Sequence, residues 1–376
     1  MNHIVRKLAL AGMLAGGIAG VTSVTPAAAE ELRIVYGQAS DNGLTDGIKR
    51  FAESIEGRTD GRYTGKVYLG SLLNFAETMT GVRDGITDTG FVIPAYHRAE
   101  FPANNLMVDM ATIGTDPIAL AGAASEYGFT CEACIDEYLA QNQIFLGYGV
   151  IAPYHLMSKD KIVDPADMKG KTIRGFSSFG RWVEAMGGKA VLISANDIYE
   201  ALNQGQLDGN VHALETLVDL SFGEVTDYLL NEPIGVYMGN ALFNLNKDVW
   251  DGLSEEDKRN FLLAAGDGFA RAEVSMVEGH NAILEDPESA GVELVEPSPA
   301  MKAATEKFRE DDLAKVAQLN EEKFGLKNAD AEVERFKALV AKWRELVKGI
   351  DRNDPAAVAD LYNREIFSKV DLAIFE

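Results

Sequence analysis

The stretch Pro165-Ala166-Asp167-Met168-Lys169-Gly170-Lys171-Thr172-Ile173-Arg174, continued by Asp197-Ile198-Tyr199-Glu200-Ala201-Leu202-Asn203-Gln204-Gly205-Gln206-Leu207-Asp208-Gly209, decides how this chain folds. Lys169-Gly170 supplies a turn into a short apolar strand, and that strand ends on Arg174. In an open α/β sheet, ligands sit in the crevice outside the carboxyl ends of the strands, so Arg174 is aimed at such a crevice. Gly187-Gly188 precedes a further strand. The helix over residues 195–203 stops at Gly205, a C-cap, and Asp208-Gly209 leads into a strand that ends near His212.

Working outward, the same alternation continues on both sides. Residues 32–37 read as a buried strand, and residues 43–56 place Leu44, Ile48, Phe51 and Ile55 on one helical face. A strand over 63–69, a helix over 75–83 and a strand over 87–93 follow, the rhythm of a mainly parallel sheet with helical crossovers. The central part repeats it with strands at 154–158, 172–175, 189–192 and 207–213 and helices at 179–186 and 195–203. Beyond Asn246 helices take over. Ser254 before Glu255-Glu256 is a good N-cap with acids in the first turn, opening a helix to about Leu284. Helices over 300–322, 329–347 and 355–367 complete the chain. The fold class is α/β, with two α/β runs between which the chain crosses over and back.

Composition narrows the function classes. The chain has 376 residues with 35 Lys and Arg against 58 Asp and Glu, a net charge of −23. Phosphate recognition rests on Lys and Arg charge, so nucleic acid is not the expected partner, and neither is an anionic lipid surface. At the N-terminus Arg6 and Lys7 precede an apolar or glycine run over Leu8 to Val21. Ala27-Ala28-Ala29 follows, the arrangement of a secretory signal over residues 1–29. Its apolar run of 14 residues falls short of the roughly 20 that span a bilayer. The mature chain is expected outside the cytoplasmic membrane without inserting into it.

Cys131 and Cys134, in Cys-Glu-Ala-Cys, are the two cysteines of the chain. In an exported protein they favour pairing with each other, with free thiols and redox or metal chemistry as the alternatives. Phosphate-cradling Gly-rich loops, the Gly-x-Ser-x-Gly elbow and His-Glu-x-x-His are all missing, and His97, His155, His212 and His280 show no ligand spacing. No cofactor or metal is expected, and the reading is a binder rather than an enzyme.

The ordered set Asp167 to Arg174, Tyr199 to Gly205 and Leu207 to Gly209 resembles the solute-binding proteins of TRAP (tripartite ATP-independent periplasmic) transporters. Thr59-Asp60-Gly61-Arg62, Gly70-Ser71-Leu72, Glu77, Gly85, Asp88 and Phe101-Pro102 extend the resemblance over nearly all of the mature chain. It implies a two-lobed periplasmic binding protein fold with a long interlobe helix and a helical C-terminal region. Lobe one would take residues 30–152 with 239–282, and lobe two 153–238 with 283–376. It implies also a small organic anion as ligand, membrane permease subunits as partners, and the periplasm as location. A binding protein of an ABC importer, a sensor subunit and a periplasmic enzyme are the rival readings.

By the same resemblance Arg174 clamps a ligand carboxylate, His212 contacts the ligand, and Ser177 and Ser178 line the pocket. Where many members carry a second basic residue, this chain has Pro153-Tyr154-His155, which points to fewer negative charges on the ligand than a dicarboxylate has. Tyr154, His155 and Tyr96 join the candidate ligand-binding set, with Phe176 as a further wall residue. A carboxylate suits the planar guanidinium fork of Arg174, and a sulfonate or a zwitterion would use the same fork.

Overall fold

A computed structural model describes residues 29–376. The expected signal segment thus lies outside the described residues except for Ala29. The strands are β1 (Glu30–Tyr36), β2 (Tyr63–Leu69), β3 (Thr89–Val92), β4 (Gln143–Ile144), β5 (Tyr154–Ser158), β6 (Thr172–Arg174), β7 (Lys189–Val191), β8 (Gly209–Ala213), β9 (Tyr228–Leu230), β10 (Ala241–Asn246) and β11 (Glu293–Val295). Among the described residues they form two sheets, ordered β2-β1-β3-β10-β4 and β11-β9-β5-β8-β6-β7. Parallel pairing of β1 with β2 and β3, and of β6 with β7 and β8, follows from the helical crossovers between them. The sheets are mixed, however: β10 runs antiparallel to β3 and β4, and β5 antiparallel to β8 and β9.

The antiparallel strands mark where the chain changes sheets. It leaves the first sheet after β4, returns to it as β10, and rejoins the second as β11. The first two of the three segments crossing between the sheets pair with each other. Gly149 and Asn240 exchange backbone hydrogen bonds of 2.8 and 3.3 Å, and the Tyr154 amide donates to the Gly235 carbonyl at 2.8 Å. Glu273 fixes this crossing from outside, its carboxyl accepting from the Val150 amide at 2.7 Å.

Glu273 belongs to the helix Glu255–Glu285, whose 31 residues span about 46 Å. The Ser254 hydroxyl accepts from the Asp257 amide, and three acids occupy the first turn, as the sequence leads one to expect. This helix lies against helix Gly43–Arg58 at very short range. A Cβ at Gly47 would come within 2.6 Å of the Ala272 Cβ, so the contact requires glycine. Near its start Phe261 meets Tyr63 of the first sheet, and near its end His280 faces His155 of the second, so one helix braces both.

Two expectations change here. The helix expected over residues 300–322 is two helices, Pro299–Leu313 and Val316–Phe324. The chain tightens at Lys315, whose amide bonds back three residues to Asp312, itself gripped by Arg181. Residues 283–376 also do not all pack with the second sheet. Pro299–Leu313 does, through Thr305, which accepts a hydrogen bond from Trp182. Helix Ala329–Leu346 instead lays Trp343 over Gly122 of helix Pro117–Thr130, its indole donating to Glu126 at 2.7 Å. Helix Pro355–Glu365 follows, with the Tyr362 hydroxyl donating to the Ile118 carbonyl and Asn363 donating to Asp267 of the long helix. The small residues of 119–124 make a flat face that takes these large rings, a match between distant segments.

Candidate functional site

Between the sheets lies a cavity with about 580 Å³ of atom-free space, its mouth included. β1, β3, β6, β8 and the crossing segments all contribute to its wall. Tyr36, Phe75, Phe91, Tyr96, Tyr154, Phe176 and Tyr237 make it strongly aromatic, which suits a small ligand held by a few placed polar groups. Contacts across the mouth hold the sheets together: the Ala195 amide donates to the Tyr96 hydroxyl at 3.0 Å, and Asn196 donates to the Gly37 carbonyl at 3.0 Å.

Arg174, the last residue of β6, reaches into this cavity and is 1% exposed. Its protein contacts are weak: 3.4 Å hydrogen bonds to the carbonyls of Ile193 and Val211, and the Phe176 ring at 4.7 Å. No carboxylate among the described residues forms an ion pair with it. A buried guanidinium so placed carries a desolvation cost that an incoming anion would offset.

His212 stacks on Tyr154, with ring centroids 5.0 Å apart. The Ala213 amide donates to His212 Nδ1 at 2.9 Å, so the neutral ring carries its proton on Nε2 and has a donor to offer. Burial, and then the nearby Arg174, hold its pKa well below the usual value, so His212 stays neutral.

Of the other expected site residues, Tyr154, Tyr96 and Phe176 line the cavity beside Arg174 and His212, whereas His155, Ser177 and Ser178 are not among its wall. His155 pairs opposite His212 in the β5–β8 register, yet its ring turns away from the cavity. There its Nδ1 is 3.0 Å from the Leu230 carbonyl and its ring faces His280; burial lowers its pKa to about 4. Ser177 adopts a left-handed φ of 53° at the start of helix Ser177–Ala185 and donates to Asp109 and to the Val108 carbonyl. The Ser178 hydroxyl is buried without a partner.

Ser177 thereby joins a charge network outside the cavity. Asp109 meets Arg98 at 2.9 Å and Arg181 at 3.1 Å, and Arg181 meets Asp312 at 2.6 Å. Burial alone would raise the Asp109 pKa, but Arg98 and Arg181 outweigh it and bring it to about 2.

Sequence reasoning missed six polar wall residues: Gln38, Asn42, Glu215, Thr216, Asp219 and Asn240. Both carboxyl oxygens of Glu215 are buried without a partner, and burial lifts its pKa to about 8. Burial likewise lifts Asp219 to about 6. Asn240 is fully buried, and neither atom of its amide is partnered. Glu215 stands three residues past His212 on the same turn out of β8, a spacing that could have found it. Asn240 comes from the returning crossing segment and carried no local signal.

The family model for bacterial extracellular solute-binding protein, family 7, matches residues 35–321, well over half of the chain. The chain belongs to that family. Among curated proteins, a solute-binding protein of Albidiferax ferrireducens is 25% identical over 58% of this chain, the match spanning 64% of the relative's own length, short of two thirds. Among solved structures, the chain is similar to a marine metagenome TRAP solute binding protein specific for aromatic acid ligands, in complex with 3-hydroxybenzoate. The TM-score is 0.72 at 20% identity, over 84% of this chain and 99% of that one. It is also similar to a TRAP periplasmic solute binding protein of Chromohalobacter salexigens with bound D-glucuronate, with a TM-score of 0.69 at 20% identity over 82% and 99% of the two chains. These likenesses establish the two-sheet fold. No helix among the described residues is long and apolar enough to cross a membrane.

Proposed function

We propose that this family 7 chain is the extracytoplasmic solute-binding subunit of a TRAP transporter. It takes up a small organic anion, foremost a carboxylate, between its two sheets and hands it to membrane permease subunits. The observation that carries this reading is Arg174, buried at the wall of the cavity with no acid among the described residues to pair with. Its guanidinium offers a carboxylate two parallel charge-assisted hydrogen bonds, and the low local dielectric strengthens both. Similar proteins whose structures hold 3-hydroxybenzoate and D-glucuronate support an organic acid as ligand. The secretory pattern of residues 1–29 supports the periplasm as location. The chain acts as a binder that releases its ligand unchanged.

Mass spectrometry of whatever co-purifies, followed by calorimetry with wild type and Arg174→Ala, tests this. An organic acid whose affinity collapses in the variant is the expected result. Binding within a factor of about three of wild type would remove Arg174 from the site.

A further inference from the structure

Arg174 provides for one charge of a ligand, and the cavity wall holds a second group that no basic side chain among the described residues answers. Glu215 is 6% exposed, lines the cavity, and keeps both carboxyl oxygens unpartnered. Asp219 lines the same space. Among the described residues of the wall, the basic side chains are Arg174 and His212, and neither serves these acids. Arg174 forms no ion pair, and His212 is neutral with its Nδ1 occupied by a backbone amide. Besides burial, the charge that Glu215 feels is another negative one, that of Asp219. Four tyrosines also face the cavity, and aromatic faces attract cations.

Two acids and a set of aromatic rings at one cavity, with a lone guanidinium as the anion's partner, describe a ligand of two opposite charges. We propose, resting on the organic-acid reading above, that the ligand is a zwitterion whose carboxylate pairs with Arg174 and whose protonated nitrogen pairs with Glu215. Asp219 adds negative potential to the nitrogen's end, and Asn240 supplies an unused amide between or beside the two groups. A dicarboxylate would bring its second charge against the ionised Asp219, and a polyhydroxylated acid would leave most of its hydroxyls against rings.

The proposal has a proton signature. The groups that titrate or carry charge on the wall are Arg174, His212, Glu215, Asp219 and the tyrosines. Of these, Glu215, lifted to about 8 by burial, is the one still protonated at pH 7 that a cation would ionise. The nitrogen arrives as an ammonium, Glu215 gives up its carboxyl proton to buffer, and an ion pair replaces a neutral acid.

Matched probes test this: 5-aminopentanoate against hexanoate, and 4-(aminomethyl)benzoate against 4-ethylbenzoate, titrated calorimetrically at pH 7 in two buffers of different ionisation enthalpy. The amino member of at least one pair is expected to bind ten-fold or more tighter than its methyl partner and to release the larger part of one proton. Glu215→Gln should erase both the preference and the proton release, while changing the affinity of the methyl member less than three-fold. Equal or tighter binding by the methyl members, or a preference that survives Glu215→Gln, overturns the zwitterion and leaves the organic-acid reading standing. Failure of every carboxylate in a wider organic-acid panel to bind would overturn that reading, and the zwitterion with it.

Discussion

Arg174 and Arg181 stand seven residues apart, one at the end of β6 and the other on the helix that follows, and the protein treats them in opposite ways. Arg181 is saturated: Asp109 and Asp312 hold its guanidinium from two segments distant in sequence, and Asp109 is shared with Arg98. Arg174 is more deeply buried and receives two weak carbonyl contacts and a ring. The acids follow the same division. Asp109 in the network is pulled down to about 2, whereas Glu215 on the cavity wall is pushed up to about 8. A charge the fold uses is paired within the fold, and an ionisable group left unpaired at the cavity wall is kept for something that comes from outside.

The largest effect that can break this contrast is on affinity. Arg174→Ala should weaken ligand binding by about 2–5 kcal/mol, roughly 30-fold to several thousand-fold, without lowering the melting temperature of the unliganded protein. Calorimetry and a thermal melt read the two quantities, and a melt that drops as sharply as the affinity would make Arg174 structural. Asp109→Ala should do the reverse, leaving Arg98 without its acid and Arg181 with one acid. A stability loss of about 3 kcal/mol in urea unfolding is expected, and an unchanged midpoint would show the network to be idle.

The third test uses pH. A depressed carboxyl such as Asp109 contributes stability that is full above its ordinary pKa and is lost as pH falls from about 4 toward 2, roughly 2 kcal/mol for this shift. Glu215 has the opposite sign. Its folded state holds the proton more tightly than the unfolded chain does, so stability is full below about pH 4.5 and is lost as pH rises toward 8. Urea unfolding of the unliganded protein across pH 2–8 should therefore show stability falling at both ends. Asp109→Asn should flatten the acid limb, and Glu215→Gln the limb approaching neutrality. Should Glu215→Gln keep the wild-type profile, the buried acid is not titrating as described. The smallest effect belongs to Cys131 and Cys134, which are joined in a disulfide at the start of helix Glu132–Leu139. Closing so short a loop is worth at most about 2 kcal/mol, so replacing both with Ser should lower stability modestly and change affinity less than three-fold.

What could be read in the sequence was what neighbouring residues decide. Strand 154–158, strand 63–69 and helix 195–203 fall where the pattern puts them, and the long helix begins at its Ser254 cap. Arg174 was legible because a turn, a strand and an arginine follow in ten residues. His155 entered the candidate set beside Tyr154, but contacts with Leu230 and His280, distant in sequence, hold its ring away from the cavity. Ser177 was taken from the pocket by Asp109, 68 residues earlier, which no local pattern announces. Asn240 and the packing of Trp343 on Gly122 likewise depend on which distant segments meet, and amphipathic periodicity shows that a face is buried without showing against what.

Asn240 carries one further consequence. Its backbone pairs with Gly149 where two of the crossing segments meet, and its side chain forms part of the cavity wall. Any rotation of one sheet against the other has to be absorbed at the segments that cross between them, so the Asn240 amide on the cavity wall moves with that pivot. Under the proposed function, departure of the ligand and opening of the protein should then be a single kinetic event, with the measured dissociation rate also a clock for the opening.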